Sequence, residues 1–253
     1  MKIYFLGTCA GTEPMPTRRH MSFVIESDQR YYWFDAGEGC SYTGHNLGID
    51  LLAVKSIFIS HTHIDHIGGL GNLLWNIKKL CCMRDAKPLY GDVSLYIPDM
   101  GAWGGIDQML KNTECDFEFD YTLGVHPVKE GLLYDDGMIR VTALPNTHMG
   151  KGKPSYSYQI ECEGKSVIYS GDVGSYSDMD PFFVKRHDAL IVETGHFGID
   201  AVYEYTKNKE IGTIFFSHNG REILNHPEKS QQKMQDLFCG KAYICEDGMV
   251  AEL

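Results

Sequence analysis

The segment His61-Thr62-His63-Ile64-Asp65-His66 places four potential metal ligands within six residues. Imidazole and carboxylate donors suit zinc, manganese and iron. An apolar run, Ser56-Ile57-Phe58-Ile59-Ser60, stands directly before it and reads as a strand. In an extended chain His61 and His63 point the same way. Asp65 and His66 follow at the turn, where they can face a second ion. A surface histidine cluster is the competing account, and the position at the end of a strand argues against it.

Three isolated candidates occur downstream, each closing an apolar run. His148 follows Ile139–Pro145. Asp172 follows residues 166–171, where Gly171 lets the backbone turn sharply before the carboxylate. His218 follows residues 214–217. Each alone is more often structural than a ligand. Together they complete a donor set for two ions, and paired ions lower the pKa of a bound water and clamp the oxygens of an in-line displacement.

With these seven residues in this order, the chain resembles the metallo-β-lactamase fold hydrolases over essentially its whole length. The resemblance implies a four-layer αβ/βα sandwich, two mixed sheets packed face to face with helices outside. It also implies that His61, His63 and His148 hold one ion and that Asp65, His66 and His218 hold the other. Asp172 then bridges both, with a water or hydroxide between them. Zinc is the expected metal; manganese and iron fit the same donors. Asp65 is expected to accept a proton from the water as well as to ligate. Asp35, in Phe34-Asp35-Ala36-Gly37, matches a family position and is expected to orient a metal-bound histidine.

The amino terminus, Lys2-Ile3-Tyr4-Phe5-Leu6-Gly7-Thr8-Cys9-Ala10-Gly11-Thr12, looks like the opening of the RNase Z group and its cyclic phosphodiesterase relatives. Arg18 and Arg19 follow as candidates for binding a substrate phosphate, with a solvated loop as the competing account. His196, in Val192-Glu193-Thr194-Gly195-His196, matches a histidine that faces the scissile phosphate in phosphodiesterases of this group. An imidazole there can stabilise charge or protonate a leaving oxygen. His45, His126, His187 and His226 have no comparable context.

One interval departs from the RNase Z pattern. Between His148 and Asp172 lie 23 residues, nearly filled by a hairpin read from residues 156–160 and 166–169. Bacterial members of the group usually insert an RNA-gripping arm there. The net charge of −11 points the same way, because a polyanion binder gains affinity from excess Lys and Arg. Lys151-Gly152-Lys153 is the local basic concentration near the site. The expected activity is therefore metal-dependent hydrolysis of a small or cyclic phosphodiester. An RNase Z-like RNA endonuclease, an ester, thioester or lactone hydrolase, and a non-hydrolytic binding protein are the alternatives.

The elements that must position these groups are mixed α and β. With 43% hydrophobic residues and 12% aromatics the chain can build a sizeable core, and no linker divides it, so one domain over 1–253 is expected. Residues 67–80 read as a helix with Leu70, Leu73, Leu74 and Ile77 on one face. Tyr90 to Pro98 reads as a strand, followed by a flexible stretch at 100–105 and a short helix at 107–110; the remainder of 85–123 is the least legible part. Pro227 looks like a helix start. Two strands, 242–244 and 249–251, are expected to form a hairpin around Asp247-Gly248. The eight cysteines fit unpaired thiols in a reducing cytoplasm better than disulfides. A separate zinc site drawing on Cys9, Cys40, Cys81 or Cys82 is the lesser expectation. No apolar run reaches the roughly 18 residues of a membrane span, and a homodimer is common in the group resembled.

Overall fold

The computed structural model describes residues 1–113 and 117–253. The first sheet is built from β1 (Lys2–Gly7), β2 (Ser22–Ser27), β3 (Arg30–Phe34), β4 (Val54–Phe58), β5 (Val93–Ile97) and β6 (Leu123–Pro127). The second holds β7 (Gly131–Asp135), β8 (Ile139–Pro145), β9 (Tyr156–Cys162), β10 (Lys165–Tyr169), β11 (His187–Glu193), β12 (Ile211–Ser217) and β13 (Ala242–Ile244). The chain then returns to the first sheet as β14 (Val250–Glu252), giving the orders β14-β1-β2-β3-β4-β5-β6 and β13-β12-β11-β10-β9-β8-β7. In each sheet antiparallel pairs give way to parallel ones, at β3–β4 and at β10–β11.

Alternation along the strands produces three apolar layers. Between the sheets, Phe5, Phe23, Phe34 and Phe58 meet Val141, Tyr158, Ile160, Tyr169 and Phe215. Phe23, Phe34 and Phe58 form a continuous stack with ring centroids 4.9 and 5.0 Å apart. On the outer face of the first sheet lie α1 (Cys40–Asn46), the short α2 (Ile64–Ile67), α3 (Leu70–Arg84) and α4 (Met100–Lys111). Leu70, Leu73, Leu74 and Ile77 of α3 are fully buried there. The outer face of the second sheet is covered by α5 (Ile199–Thr206), α6 (Arg221–Asn225) and α7 (Pro227–Phe238). The four-layer sandwich of two mixed sheets is as expected.

Three local expectations are corrected. The helix read as 67–80 is two helices, interrupted at Gly68-Gly69. A Cβ on Gly69 would lie 2.2 Å from the Gly37 carbonyl oxygen, so the chain must pass that backbone without a side chain. The stretch at 100–105 is helical, not flexible. The Asp99 carboxylate caps it, accepting from the amides of Gly101 at 2.8 Å and Ala102 at 3.3 Å. The closing strands do not form a hairpin: β13 pairs with β12, and β14 with β1. Asp247-Gly248 is the crossover between sheets, and Asp247 accepts from Thr8 N, Thr8 Oγ1 and Arg19 N. Within the 85–123 segment the described residues form β5, α4 and the start of β6, and residues 114–116 lie outside the described part. Trp103 packs half-buried against the outer layer of the first sheet.

Candidate metal centre

The parallel strands of both sheets deliver their carboxyl ends to one edge, and the candidate ligands gather there. β4 runs into Ser60, which organises the histidine segment. Its amide and hydroxyl donate to Asp35 Oδ1 and Oδ2, each at 2.7 Å, and its Oγ lies 3.1 Å from His61 Nδ1. That contact leaves His61 Nε2 facing outward, 3.0 Å from His63 Nδ1. His148, just past β8, brings its Nε2 to 3.1 Å from the same His63 nitrogen.

Asp172 lies between two groups of donors. Its Oδ2 faces His61 Nε2 at 3.7 Å and His148 Nε2 at 3.6 Å. Its Oδ1 faces His66 Nε2 and His218 Nδ1, each at 3.4 Å. Asp65 Oδ2 closes the second group, 3.5 Å from His66 Nε2 and 3.0 Å from His218 Nε2. Four donors around a zinc ion at its usual bond lengths are spaced about 3.3 Å apart. The separations of the imidazole nitrogens from Asp172, 3.4–3.7 Å, are close to this, whereas Asp65 reaches the other nitrogen of His218.

The buried polar atoms test that fit independently. His66 Nε2, Asp172 Oδ1 and His218 Nδ1 are all sealed from water without a hydrogen-bond partner. Leaving such atoms unsatisfied is costly, and the three of them converge. A cation between them satisfies lone pairs on both nitrogens and the oxygen. The donor set therefore fits two divalent ions, one per group with Asp172 shared.

The electrostatics express the same demand for positive charge. Burial opposes ionisation of Asp172, but the charges of His218 and His66 hold its carboxyl well below the usual range. Burial likewise opposes charge on His218, yet Asp172 and a hydrogen bond with Asp65 push it up to about 9. His66 is raised against its burial by Asp172 and Asp35. His61 moves the other way, lowered by burial and by the neighbouring His66.

Supporting groups hold the ligands from behind. Asp35 is fully buried in a left-handed conformation, φ 51°, and its Oδ2 lies 2.7 Å from His66 Nδ1. It also accepts from Tyr169 OH at 2.5 Å. His218 likewise adopts φ 50°, a strained value for a non-glycine residue of the kind that gathers at functional sites. Gly195 packs against it so closely that a Cβ would lie 2.6 Å from His218 Nδ1.

His196 enters from the second sheet. Its Nδ1 sits 2.7 Å from Glu193 Oε2, which also accepts the His196 amide at 3.0 Å. That hydrogen bond raises the imidazole pKa against burial. Glu193 itself was not singled out in the sequence. Its signal is a carboxylate ending an apolar strand, the same context that marks Asp35.

His63, Asp65, Asp172, His196 and His218 line one cavity of 660 Å³, together with His20, Phe197 and Arg221. Arg18 and Arg19 do not line it. The Arg18 guanidinium donates to Thr8 Oγ1 at 2.7 Å and to the Cys245 carbonyl at 2.6 Å, bracing the amino-terminal loop against the carboxyl-terminal crossover. Arg19 is exposed beside Gly39. Among the described residues, the groups that could hold a metal contain no cysteine.

Comparison with known proteins follows this geometry. Ribonuclease BN of Cronobacter sakazakii is 34% identical over 170 residues, 65% of this chain and 51% of that one. The chain thus spans about half the length of that relative. Human tRNase Z, short form, superposes with a TM-score of 0.77 at 20% identity, covering 100% of this chain and 99% of the other. A diphosphatase of the PhnP family superposes with a TM-score of 0.71 at 16% identity, covering 100% and 97%. The model of the family described as Anti-Pycsar protein Apyc1 matches residues 1–195. The chain belongs to the Anti-Pycsar protein Apyc1 family, in the RNase Z-like branch of the metallo-β-lactamase fold.

Proposed function

We propose that this chain is a dinuclear metal-dependent phosphodiesterase acting on a small or cyclic phosphodiester. The observation that carries the reading is the pair of donor groups sharing Asp172, with its two oxygens turned to different partners. His61, His63 and His148 would hold one ion, and Asp65, His66 and His218 the other. Zinc is the metal we expect, with manganese and iron as the alternatives. Such a pair supplies Lewis acidity at a phosphoryl oxygen and a more acidic water at neutral pH.

The chain's own residues do the rest. Asp65 is ionised and reaches the cavity, placed to accept a proton from the attacking water. His196, whose pKa is raised by its hydrogen bond with Glu193, would stabilise negative charge or give a proton to the leaving oxygen. Asp35 keeps His66 in the tautomer that presents Nε2. Gly11 passes so near Asp65 that a Cβ would lie 2.9 Å from its Oδ2, leaving no room there for a side chain.

RNA cleavage is the second reading, favoured by the 34% identity to a ribonuclease. The net charge of −11 and the β9–β10 hairpin that fills the interval after His148 support the small substrate instead. We expect the activity to reside in one domain spanning 1–253, in the cytoplasm. No described helix is long and apolar enough to cross a membrane.

The test is hydrolysis of bis(p-nitrophenyl) phosphate by chelator-stripped protein reloaded with zinc or manganese, beside His63→Ala. Turnover that needs metal and disappears in the variant supports the reading. A fully loaded protein without turnover sinks it and brings ester, thioester and lactone substrates forward. A parallel RNA-cleavage assay with a salt series separates the second reading.

A further inference from the structure

The cavity carries many carboxylates and imidazoles, yet Arg221 is the one Lys or Arg among its described lining residues. Arg221 opens α6, three residues after His218, where the backbone is fixed. A Cβ on Gly220 would lie 2.7 Å from the Thr194 carbonyl oxygen, and Glu222 is tied to Lys233 at 2.7 Å. The Arg221 side chain itself is 64% exposed. Its guanidinium pairs in fork geometry with Glu13, Nη1 to Oε1 at 3.2 Å and Nη2 to Oε2 at 2.7 Å. Glu13 is 56% exposed and sits midway along the loop between β1 and β2. Asp247 anchors that loop at both ends, through Thr8 and Arg19. The pair thus joins two cavity walls 208 residues apart in sequence, and an ion pair this exposed is weak.

A guanidinium offers a phosphodiester anion the same two-point geometry it offers a carboxylate. We propose that Arg221 anchors the anionic group of the substrate at the cavity rim, and that Glu13 occupies its guanidinium until that group displaces it. This rests on the phosphodiesterase reading and narrows it. One fixed positive charge suits a single-phosphate, monoanionic diester and gives little purchase on the flanking phosphates of a polynucleotide. Arg221 thereby takes the task expected of Arg18 and Arg19. Lys153, the other nearby candidate, is paired with Asp99 at 3.1 Å and lies outside the cavity lining.

The test combines turnover with binding of diethyl phosphate, a diester inert to hydrolysis, measured by calorimetry on zinc-loaded protein. Arg221→Gln is expected to raise KM for bis(p-nitrophenyl) phosphate about tenfold with kcat little changed, and to weaken diethyl phosphate by a similar factor. Arg221→Lys is expected to recover only part of this, because a point charge lacks the fork. Glu13→Gln is expected to lower KM by about threefold, since it removes the competitor. Unchanged KM and binding in Arg221→Gln overturn the proposal while wild-type turnover keeps the parent reading. Weakened diethyl phosphate binding without any wild-type turnover does the reverse. Should Arg221→Gln fail to fold, the sign of the KM change in Glu13→Gln decides, and a rise overturns the proposal.

Discussion

The two halves of the sandwich share an architecture and supply the site by different means. Each sheet passes from antiparallel to parallel pairing and sends its parallel strands to the common edge. The first half contributes His61, His63, Asp65 and His66 from one strand, one turn and the short helix α2. The second contributes His148, Asp172 and His218 from the ends of three separate strands. A contiguous segment fixes its own donors locally, whereas the dispersed set exists only once β8, β10 and β12 have assembled. Asp172 joins the two donor groups, each of which mixes both halves, because each of its oxygens faces a different group.

Each half also has its own buried brace, and the two differ in kind. Asp35 receives Ser60, Tyr169 and His66 and is sealed. Glu193 accepts the Val173 amide at 2.9 Å and holds His196, whose side chain remains 44% exposed. The first brace fixes a candidate ligand in place; the second raises the pKa of an imidazole that lines the cavity.

The largest effect is expected at the shared residue. Asp172→Ala should lower metal content at both groups and reduce kcat/KM for bis(p-nitrophenyl) phosphate by ~10³-fold or more. Retention of both ions would undo the shared-carboxylate account. The braces come next and should part company. Asp35→Asn is expected to weaken metal affinity by about 10–100-fold, read by chelator competition. Glu193→Gln keeps an acceptor for the Val173 amide, so metal content should hold while kcat falls by about 10²-fold. Equal metal loss in both variants would mean that the two carboxylates do one job.

What the sequence revealed follows the same division. The histidine segment is legible because its donors adjoin one another and follow an apolar run. His148, Asp172 and His218 became legible only as a set, since each alone looks like a strand-end polar residue. Glu193 was missed because its partner, His196, is read as a separate candidate until the turn between them is seen. Arg221 and Glu13 are 208 residues apart, so no local pattern joins them. The helix at 100–111 was misread because Gly101, Gly104 and Gly105 weaken its propensity, and tertiary packing on α3 overrides that weakness. Asp247 reads as a hairpin turn in sequence because the dipeptide alone does not say which sheet each flanking strand joins.

Smaller effects test these local readings through stability. Gly69→Ala forces a Cβ against the Gly37 carbonyl and should cost about 1–3 kcal/mol, a loss of several degrees in Tm. Asp99→Ala removes the α4 cap and should cost about 1 kcal/mol with the metal centre untouched. A larger cost for the cap than for Gly69 would reverse the ranking of these two constraints.

The central claim is that the two donor groups, each drawn from both halves, hold one ion each around a common carboxylate. Calorimetric titration of zinc into chelator-stripped protein tests it most directly, with His63→Ala and His218→Ala alongside. The account predicts one ion for each of the two donor groups in the wild type, and loss of a different single site in each variant. Binding of one ion per chain, or loss of the same site in both variants, would contradict it.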